Sequence, residues 1–309
     1  MNILITGIHG FIGNNLVLAL KESHIIYGLD IISPQKDGVV KTFTWAELES
    51  IPPIDIIIHL AGKAHDTKNQ TDTETYFEIN TGLTNKIYDW FLISKARKFV
   101  FFSSVKSVAD RVIGDLLTEE VVPHPVGAYG ESKIAAENYI LNHLIDDKIV
   151  FILRPCMVHG LGNKGNLNLL YKFVKKGIPY PLGAFENRRS YTSIDNLSFI
   201  LLQLVEKEIP GGIYNVSDDE CLSTNDLIAL MAKTMNKPNR TWKCNKKVVK
   251  LCADLGTFLH LSFNTDRLKK LTENYIVSNI KLKNALGIKM LPVSAKEGFI
   301  NTIKSFEHK

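Results

Sequence analysis

The chain has 309 residues, 45% hydrophobic and 22% charged, the balance of an ordinary water-soluble globular fold with length for one large or two modest domains. The net charge of +5 comes from basic residues spread through the sequence, so no nucleic-acid-binding arm emerges, and the slight positive bias suits an anionic small molecule. No apolar run is long enough to span a membrane, the first residues lack the regions of a signal peptide, and Cys156, Cys221, Cys244 and Cys252 show no CxxC spacing; a cytoplasmic protein without an integral membrane segment, a disulfide framework or a zinc site is predicted.

Residues 2–6 read as a short apolar strand, followed by Gly7-Ile8-His9-Gly10-Phe11-Ile12-Gly13 and an apolar-periodic run through Leu20. Strand, glycine turn and helix is the order that a phosphate-binding loop requires. Gly7 permits the tight turn, Gly10 lets backbone approach a pyrophosphate, and Gly13 lets the helix lie close on the strand, while free N–H groups at the helix start face the anion. An ordinary strand-to-helix turn reads the same way, but the missing Gly-Lys-Ser/Thr removes an ATPase-type loop. Residues 24–29 form a second strand closed by Asp30, seventeen residues after Gly13. A carboxylate there accepts hydrogen bonds from both hydroxyls of an adenosine ribose and repels a 2′-phosphate, which favours NAD over NADP.

A third strand is expected over 39–44 and a fourth over 54–60, the latter continuously apolar as in a parallel sheet covered on both faces. It ends in Ala61-Gly62, small residues that let a cofactor approach. His59 and His65 come with neither HExxH nor a carboxylate cluster, so no metal site is predicted. One long helix is expected over 71–96, carrying Asn80, and a fifth strand over 98–102 delivers Ser103-Ser104 at its C-terminal end.

Ala128 opens an apolar-periodic helix to about His143, with Tyr129 and Lys133 on one face at i and i+4. A free phenol with a pKa near ~10 is a poor base at neutral pH; an adjacent cation favours the phenolate, and a drop of ~3 units takes about 4 kcal/mol of differential interaction. Tyr171 and Lys175 share the spacing, so spacing alone does not select a pair. In an open parallel sheet the ligand crevice lies outside the carboxyl ends of the strands, where a hydroxyl of Ser103-Ser104 would meet Tyr129 and Lys133. A sixth strand over 148–153 ends in Arg154-Pro155.

With Thr6-Gly7-Ile8-His9-Gly10-Phe11-Ile12-Gly13, Asp30, His59-Leu60-Ala61-Gly62, Asn80, Ser103-Ser104, Tyr129-Gly130-Glu131-Ser132-Lys133 and Arg154-Pro155 in order, the chain resembles the extended short-chain dehydrogenase/reductase family, in its nucleotide-sugar epimerase/dehydratase branch. The resemblance implies an α/β, Rossmann-type doubly wound parallel sheet with a smaller mixed α/β substrate domain. It implies an NAD-binding domain over 1–165 and a nucleotide-sugar-binding domain over 166–309, with a strand near 212–216 returning to the first. It selects Tyr129 over Tyr171, and implies Tyr129, Lys133 and Ser104 as catalytic. NAD contacts would come from Gly7, Gly10, Phe11, Ile12, Gly13, Asp30, Leu60, Ala61, Gly62, Asn80, Tyr129, Lys133 and Arg154.

In the second half, Arg188-Arg189 alone reads as a solvated loop, but 188–196 is similar to the family's Arg-Asp-Tyr/Phe-x-x-Val-Asp-Asp segment. The likeness implies that Arg189 holds the diphosphate of a nucleotide sugar, where a guanidinium fork fits phosphate oxygens as lysine cannot. By the same likeness Asn166 contacts the nucleotide and Arg267 supplies a second diphosphate contact, Ser104 also meeting the sugar. An amphipathic segment runs to about Lys176, 179–185 reads as loop or short strand, and 223–235 is a capped helix. Residues 246–261 are apolar and basic, as in a membrane-surface helix, but their length fits a packed helix interrupted at Gly256 better.

The implied chemistry is hydride exchange between a sugar C4 and the nicotinamide, with Tyr129 moving the hydroxyl proton, Lys133 holding the nicotinamide ribose and lowering the phenol pKa, and Ser104 hydrogen-bonding the reacting oxygen. Dehydratases of the family place Asp-Glu after the catalytic Thr; Val105-Lys106 stands here, which argues against 4,6-dehydration. Val108-Ala109, Thr44-Trp45 and Val158-His159-Gly160 also depart from the family's pattern and leave the sugar open. A 4-epimerase is favoured, acting on a UDP-linked hexose or N-acetylhexosamine as a homodimer built through the helices near Asn80 and Tyr129. The alternatives are an NAD(P)H-dependent reductase of a nucleotide 4-keto-sugar and a catalytically silent cofactor-binding protein on the same fold.

Overall fold

The computed structural model describes residues 1–63, 72–163, 166–261 and 263–307; His65, Gly165 and the expected helix start at Thr71 lie outside them, as does the side chain of Asn166. The strands among the described residues are β1 (Asn2–Thr6), β2 (Ile25–Asp30), β3 (Lys41–Thr44), β4 (Ile56–His59), β5 (Lys98–Phe102), β6 (Ile149–Pro155), β7 (Met157–His159), β8 (Tyr191–Ser193) and β9 (Gly212–Val216). Seven of them form one sheet in the order β3-β2-β1-β4-β5-β6-β9, parallel throughout, while β7 and β8 pair separately. Strand order reverses between β1 and β4, which opens a crevice at their carboxyl ends.

The helices are α1 (Phe11–Leu20), α2 (Thr73–Phe77), α3 (Leu83–Ile93), α4 (Ala128–Asn142), α5 (Asn166–Lys175), α6 (Ile194–Glu206), α7 (Thr224–Thr234), α8 (Lys246–Phe258), α9 (Thr265–Thr272), α10 (Ile280–Leu286) and α11 (Ala295–Ser305). Side chains alternate across β1, so Ile3 and Ile5 join Leu16, Val17, Leu197 and Leu201 of α1 and α6 on one face of the sheet. Leu4 faces the other way, into Ile87 and Phe91 of α3 and Ala136 and Ile140 of α4. Burial on both faces explains the unbroken apolar reading of β4 and β5. A second core gathers α5, α7, α8 and α11 around Leu167, Met231, Val249 and Phe299. Tyr171 belongs there, 5.1 Å from the ring of Phe306 with the Lys175 ammonium 5.6 Å from its own ring, so this Tyr-Lys pair is packing.

Two expectations are corrected. The single helix over 71–96 is α2, a π-helical turn over Glu78–Gly82 and α3, which ends at Ile93. The wider turn holds Asn80, and Ser94 turns extended and donates its hydroxyl to Phe91 O, closing the helix. Gly256 does not interrupt α8: the helix runs through it to Phe258, and a Cβ there would lie 1.9 Å from Phe263 O, so the glycine serves close packing. The pairing of β7 with β8 had no three-residue signal in the sequence, and Tyr180 and Leu182 form bridges with Thr241 and Lys243 where a loop or short strand was expected.

Between α4 and the sheet lies a fully buried ion pair. Arg154 Nε stands 3.1 Å from each oxygen of Glu137, the Ser103 hydroxyl donates to the same carboxylate, and the Ser107 hydroxyl lies 2.6 Å from it. Removing one partner of such a pair strands the other charge, which costs about 3–5 kcal/mol. Arg154→Met should therefore lower the unfolding free energy by about that much in urea titrations, and Glu137→Gln added to it should restore part of the loss. Equal stabilities of single and double variants would refute a tightly coupled pair.

Candidate active site

The glycine turn is built as a cradle. Gly7 has φ +67°, and a Cβ on it would stand 2.8 Å from Ala61 N; on Gly10 it would stand 3.0 Å from Gly7 O, and on Gly13 2.6 Å from Ile8 O. Gly10 caps α1, whose first residues Phe11, Ile12 and Gly13 present the N–H groups that a helix leaves without partners of its own. Asp30, at the end of β2, accepts from His9 N–H at 3.0 Å and Ile31 N–H at 2.8 Å, so its carboxylate is fixed at the mouth of this loop.

On the neighbouring strand His59 is fully buried between two hydroxyls, Thr6 Oγ1 2.6 Å from Nδ1 and Thr84 Oγ1 3.0 Å from Nε2. Thr84 donates its own proton to Asn80 O, so it accepts from Nε2–H; Nδ1 then accepts from Thr6, whose oxygen accepts Ala61 N–H at 3.0 Å. This chain fixes the Ala61-Gly62 turn relative to the π turn that carries Asn80. Burial, with the Lys133 ammonium adding to it, pushes the His59 pKa down to about 3, so the imidazole is neutral and structural.

Asn80, also fully buried, takes Lys63 N–H on Oδ1 at 2.7 Å and donates from Nδ2 to Ser132 Oγ at 3.0 Å. It thereby ties the loop after β4, whose Leu60 packs against the core, to α4. A Cβ at Gly62 would fall 2.9 Å from Asn80 Oδ1 and 3.2 Å from Lys133 Nζ, so Gly62, Asn80 and Lys133 converge on one spot. Lys133 donates to Phe102 O at 2.8 Å and lies 5.0 Å from the Phe101 ring centre. Burial pushes its pKa down to about 8 against the pull of Glu137.

Tyr129, one turn before Lys133, is half-buried, meets Tyr76 edge-on at 6.2 Å and shares a hydrogen bond with the Ser104 hydroxyl. Burial pushes its phenol above the ordinary value, the Ser104 bond pulls it back, and Tyr76 adds to the rise. In this arrangement the phenol is not lowered as expected from the sequence, because desolvation outweighs the local donors. Ser104, Tyr129, Lys133, Asn80 and Gly62 therefore share the crevice with the glycine loop.

Farther out, Arg189 is anchored by backbone pairing with Leu222 and donates to Lys270 O at 2.7 Å. Lys106, two residues beyond Ser104, donates to Asp110 O and Oδ1 at 2.9 and 2.8 Å over the Tyr275 ring. Burial lowers its pKa, Asp110 opposes this, and Arg189 and Lys270 press it further down. Arg267 sits exposed on α9, its backbone N–H on the Asn264 cap, and Asn166 begins α5. Arg154, expected at the cofactor, instead has its guanidinium buried against Glu137. The reading of the sequence missed the Thr6-His59-Thr84 chain, Tyr76 and the role of Lys106 as a cleft cation; hydroxyls at strand ends beside a buried histidine were the available signal.

Gly7, Gly10 and Gly13 let the loop fold tightly on itself and against Ala61, the N–H groups that open α1 have no helical acceptors of their own, and the Asp30 carboxylate stands at the mouth of the loop, an arrangement that fits a dinucleotide.

Residues 3–217 match the family model described as NAD dependent epimerase/dehydratase family. The chain is 31% identical to UDP-glucose 4-epimerase of Vibrio cholerae over 99% of its own length and 95% of that protein. It is 26% identical to GDP-6-deoxy-D-mannose reductase of Pseudomonas aeruginosa over 74% of its length and 79% of that protein. The fold is shared with UDP-glucuronic acid 4-epimerase from Bacillus cereus, solved in complex with NAD, at a TM-score of 0.75 and 20% identity, covering 100% of this chain and 99% of that one.

The neutral His59 makes an acid-sensitive link. With the folded pKa depressed to about 3 from 6.5, its contribution to stability is complete above pH 6.5 and is lost as pH falls toward 3. Unfolding free energies measured in urea between pH 7 and pH 4 should decline with a His59 term of at most about 1.4 kcal/mol per pH unit. His59→Gln, though less stable at pH 7, should lack that term; identical pH slopes in the two proteins would disprove it.

Proposed function

Because the chain belongs to the NAD-dependent epimerase/dehydratase family, we propose that it is a nucleotide-sugar 4-epimerase that uses NAD on a UDP-linked hexose or N-acetylhexosamine. The observation that carries this reading is the meeting of the Ser104 hydroxyl with the Tyr129 phenol, one helical turn from Lys133, at the carboxyl rim of the sheet. Bound NAD would supply the hydride acceptor and donor that oxidation and reduction at C4 require. Tyr129, once its phenol is deprotonated, as the added positive charge of bound NAD would favour, would take the C4 hydroxyl proton as that carbon is oxidised and return it on reduction to the opposite configuration. Ser104 orients the same oxygen, and Lys133 and Asn80 hold the ribose end of the cofactor.

Arg189 binds the diphosphate in this reading, Asn166 and Arg267 supply further contacts to the nucleotide, and residues 1–165 and 166–309 divide into cofactor and substrate domains around β9. A cytoplasmic homodimer, paired through the α3 and α4 region, completes the proposal. A second reading, reduction of a nucleotide 4-keto-sugar, draws support from the relative that is a GDP-6-deoxy-D-mannose reductase. Lys106 at the position after Ser104-Val105 disfavours dehydration in both readings.

The two readings separate by what the purified protein carries. Stoichiometric NAD released on denaturation, with UDP-glucose or UDP-N-acetylglucosamine converted to its C4 epimer without added cofactor, is the expected result; an empty protein that consumes NAD(P)H with a keto-sugar would replace epimerase by reductase. Tyr129→Phe should lower kcat by about 10²- to 10⁴-fold with cofactor binding kept, and full turnover in that variant would remove the proposed acid/base. Arg189→Ala should weaken UDP-sugar binding by about 1.5–3 kcal/mol in calorimetry, the range for a hydrogen bond to a charged group; unchanged affinity would reject its assignment.

A further inference from the structure

The helix α8 turns two apolar seams in different directions. Val249, Ala253 and Gly256, spaced i, i+4, i+7, are buried and fasten it to the second core and to the loop at Phe263. Val248, Leu251, Leu255 and Phe258, spaced i, i+3, i+7, i+10, form a second seam that is 57, 60, 53 and 80% exposed, continued past the helix end by Leu259 and Leu261. Trp242, just before the helix, is 58% exposed. Single exposed apolar residues are ordinary on a protein surface; a continuous seam of them on a well-anchored helix is not. Anchoring is firm, since Thr257 and Asp254 both bond Thr265 of α9.

The charge around the seam is also unusual. Cations are spread along the whole sequence, but between residues 240 and 261 Arg240, Lys243, Lys246, Lys247 and Lys250 face only one acid, Asp254, a net +4 where the entire chain carries +5. The four lysines are exposed, and no helix among the described residues is long and apolar enough to cross a membrane. A second copy docked on this face about a two-fold axis would set lysines against lysines. An anionic surface that accepts apolar side chains matches both properties, with Trp242 and Phe258 suited to the headgroup boundary.

We propose that α8 and the segment leading into it dock on the surface of an anionic lipid bilayer, with Val248, Leu251, Leu255 and Phe258 entering the headgroup boundary and the lysines on the lipid phosphates. The helix α9, packed against α8, carries the Lys270 carbonyl that receives Arg189, so the docked face adjoins a wall of the cleft.

The test is co-sedimentation of the full chain with vesicles of phosphatidylcholine alone or mixed with phosphatidylglycerol. Expected is binding to the mixed vesicles only, at least tenfold weaker in 0.5 M than in 0.05 M NaCl because the screening length, about 10 Å at 0.1 M, shortens with salt. Leu251→Asp with Phe258→Asp should abolish binding, and Lys247→Glu with Lys250→Glu should weaken it at least tenfold, with thermal unfolding of both variants unchanged. Absence of binding to mixed vesicles, equal binding to neutral ones, or binding unaffected by either pair of substitutions would overturn the proposal. So would self-association in sedimentation velocity that the aspartate variant abolishes while vesicles take up neither protein, because the face would then belong to a second copy.

Discussion

A neutral imidazole at the centre of the sheet sets the terms for everything around it. His59 can be buried without charge only if both ring nitrogens find partners, and the two available are hydroxyls that each have a second bond to make. Thr6 passes the link to Ala61 N–H, and Thr84 passes it to Asn80 O. The chain therefore crosses from β1 through β4 to the π turn, and Asn80 extends it from its side chain to Ser132 of α4. An interruption anywhere leaves a polar atom unpaired in a region that water does not reach, at a cost of about 1–3 kcal/mol. That penalty holds the turn after β4 and the start of α4 in fixed relation.

From its other side α4 is held by Glu137, which lies one turn beyond Lys133 and accepts from Arg154 and Ser103. Lys133 is thus clamped between two polar networks, with Phe102 O as its own acceptor and Glu137 the charge that opposes its desolvation. Preorganisation of this kind means that the ammonium does not have to be ordered when a ligand arrives. Tyr129 meets Tyr76 edge-on and bonds Ser104, with a phenol that burial keeps protonated.

Much of this was legible in the sequence because it depends on local rules. Glycines at a strand-to-helix turn and an acid at the end of the second strand declare themselves by spacing, the Tyr129-Lys133 pair by spacing together with the family resemblance, and the continuous apolar runs of β4 and β5 declare a sheet covered on both faces. What stayed hidden depends on contacts between distant segments. The pairing of Arg154 with Glu137, seventeen positions earlier, has no signal along the chain. The π turn at Asn80 follows from the need to reach Lys63 and Ser132 together, which no helical periodicity encodes. Gly256 reads as a helix break along the chain because its packing neighbour Phe263 becomes visible only in the fold.

The outer cleft is governed by charge. Arg189 and Lys270 both press on Lys106, and Asp110 is the counter-charge bonded to Lys106. Nearby cations add to the cost of keeping Lys106 charged in its partly buried place, and an anion beside it would offset that cost. A diphosphate meets that need, whereas an acid at position 106 would oppose it. The same lysine bears on the chemistry: an ammonium committed to two oxygens of Asp110 has no lone pair with which to abstract a proton from carbon. Under the proposed reading, a lysine at position 106 would favour a bound anion and stands where dehydration would need a base, so the reaction is left to exchange at C4.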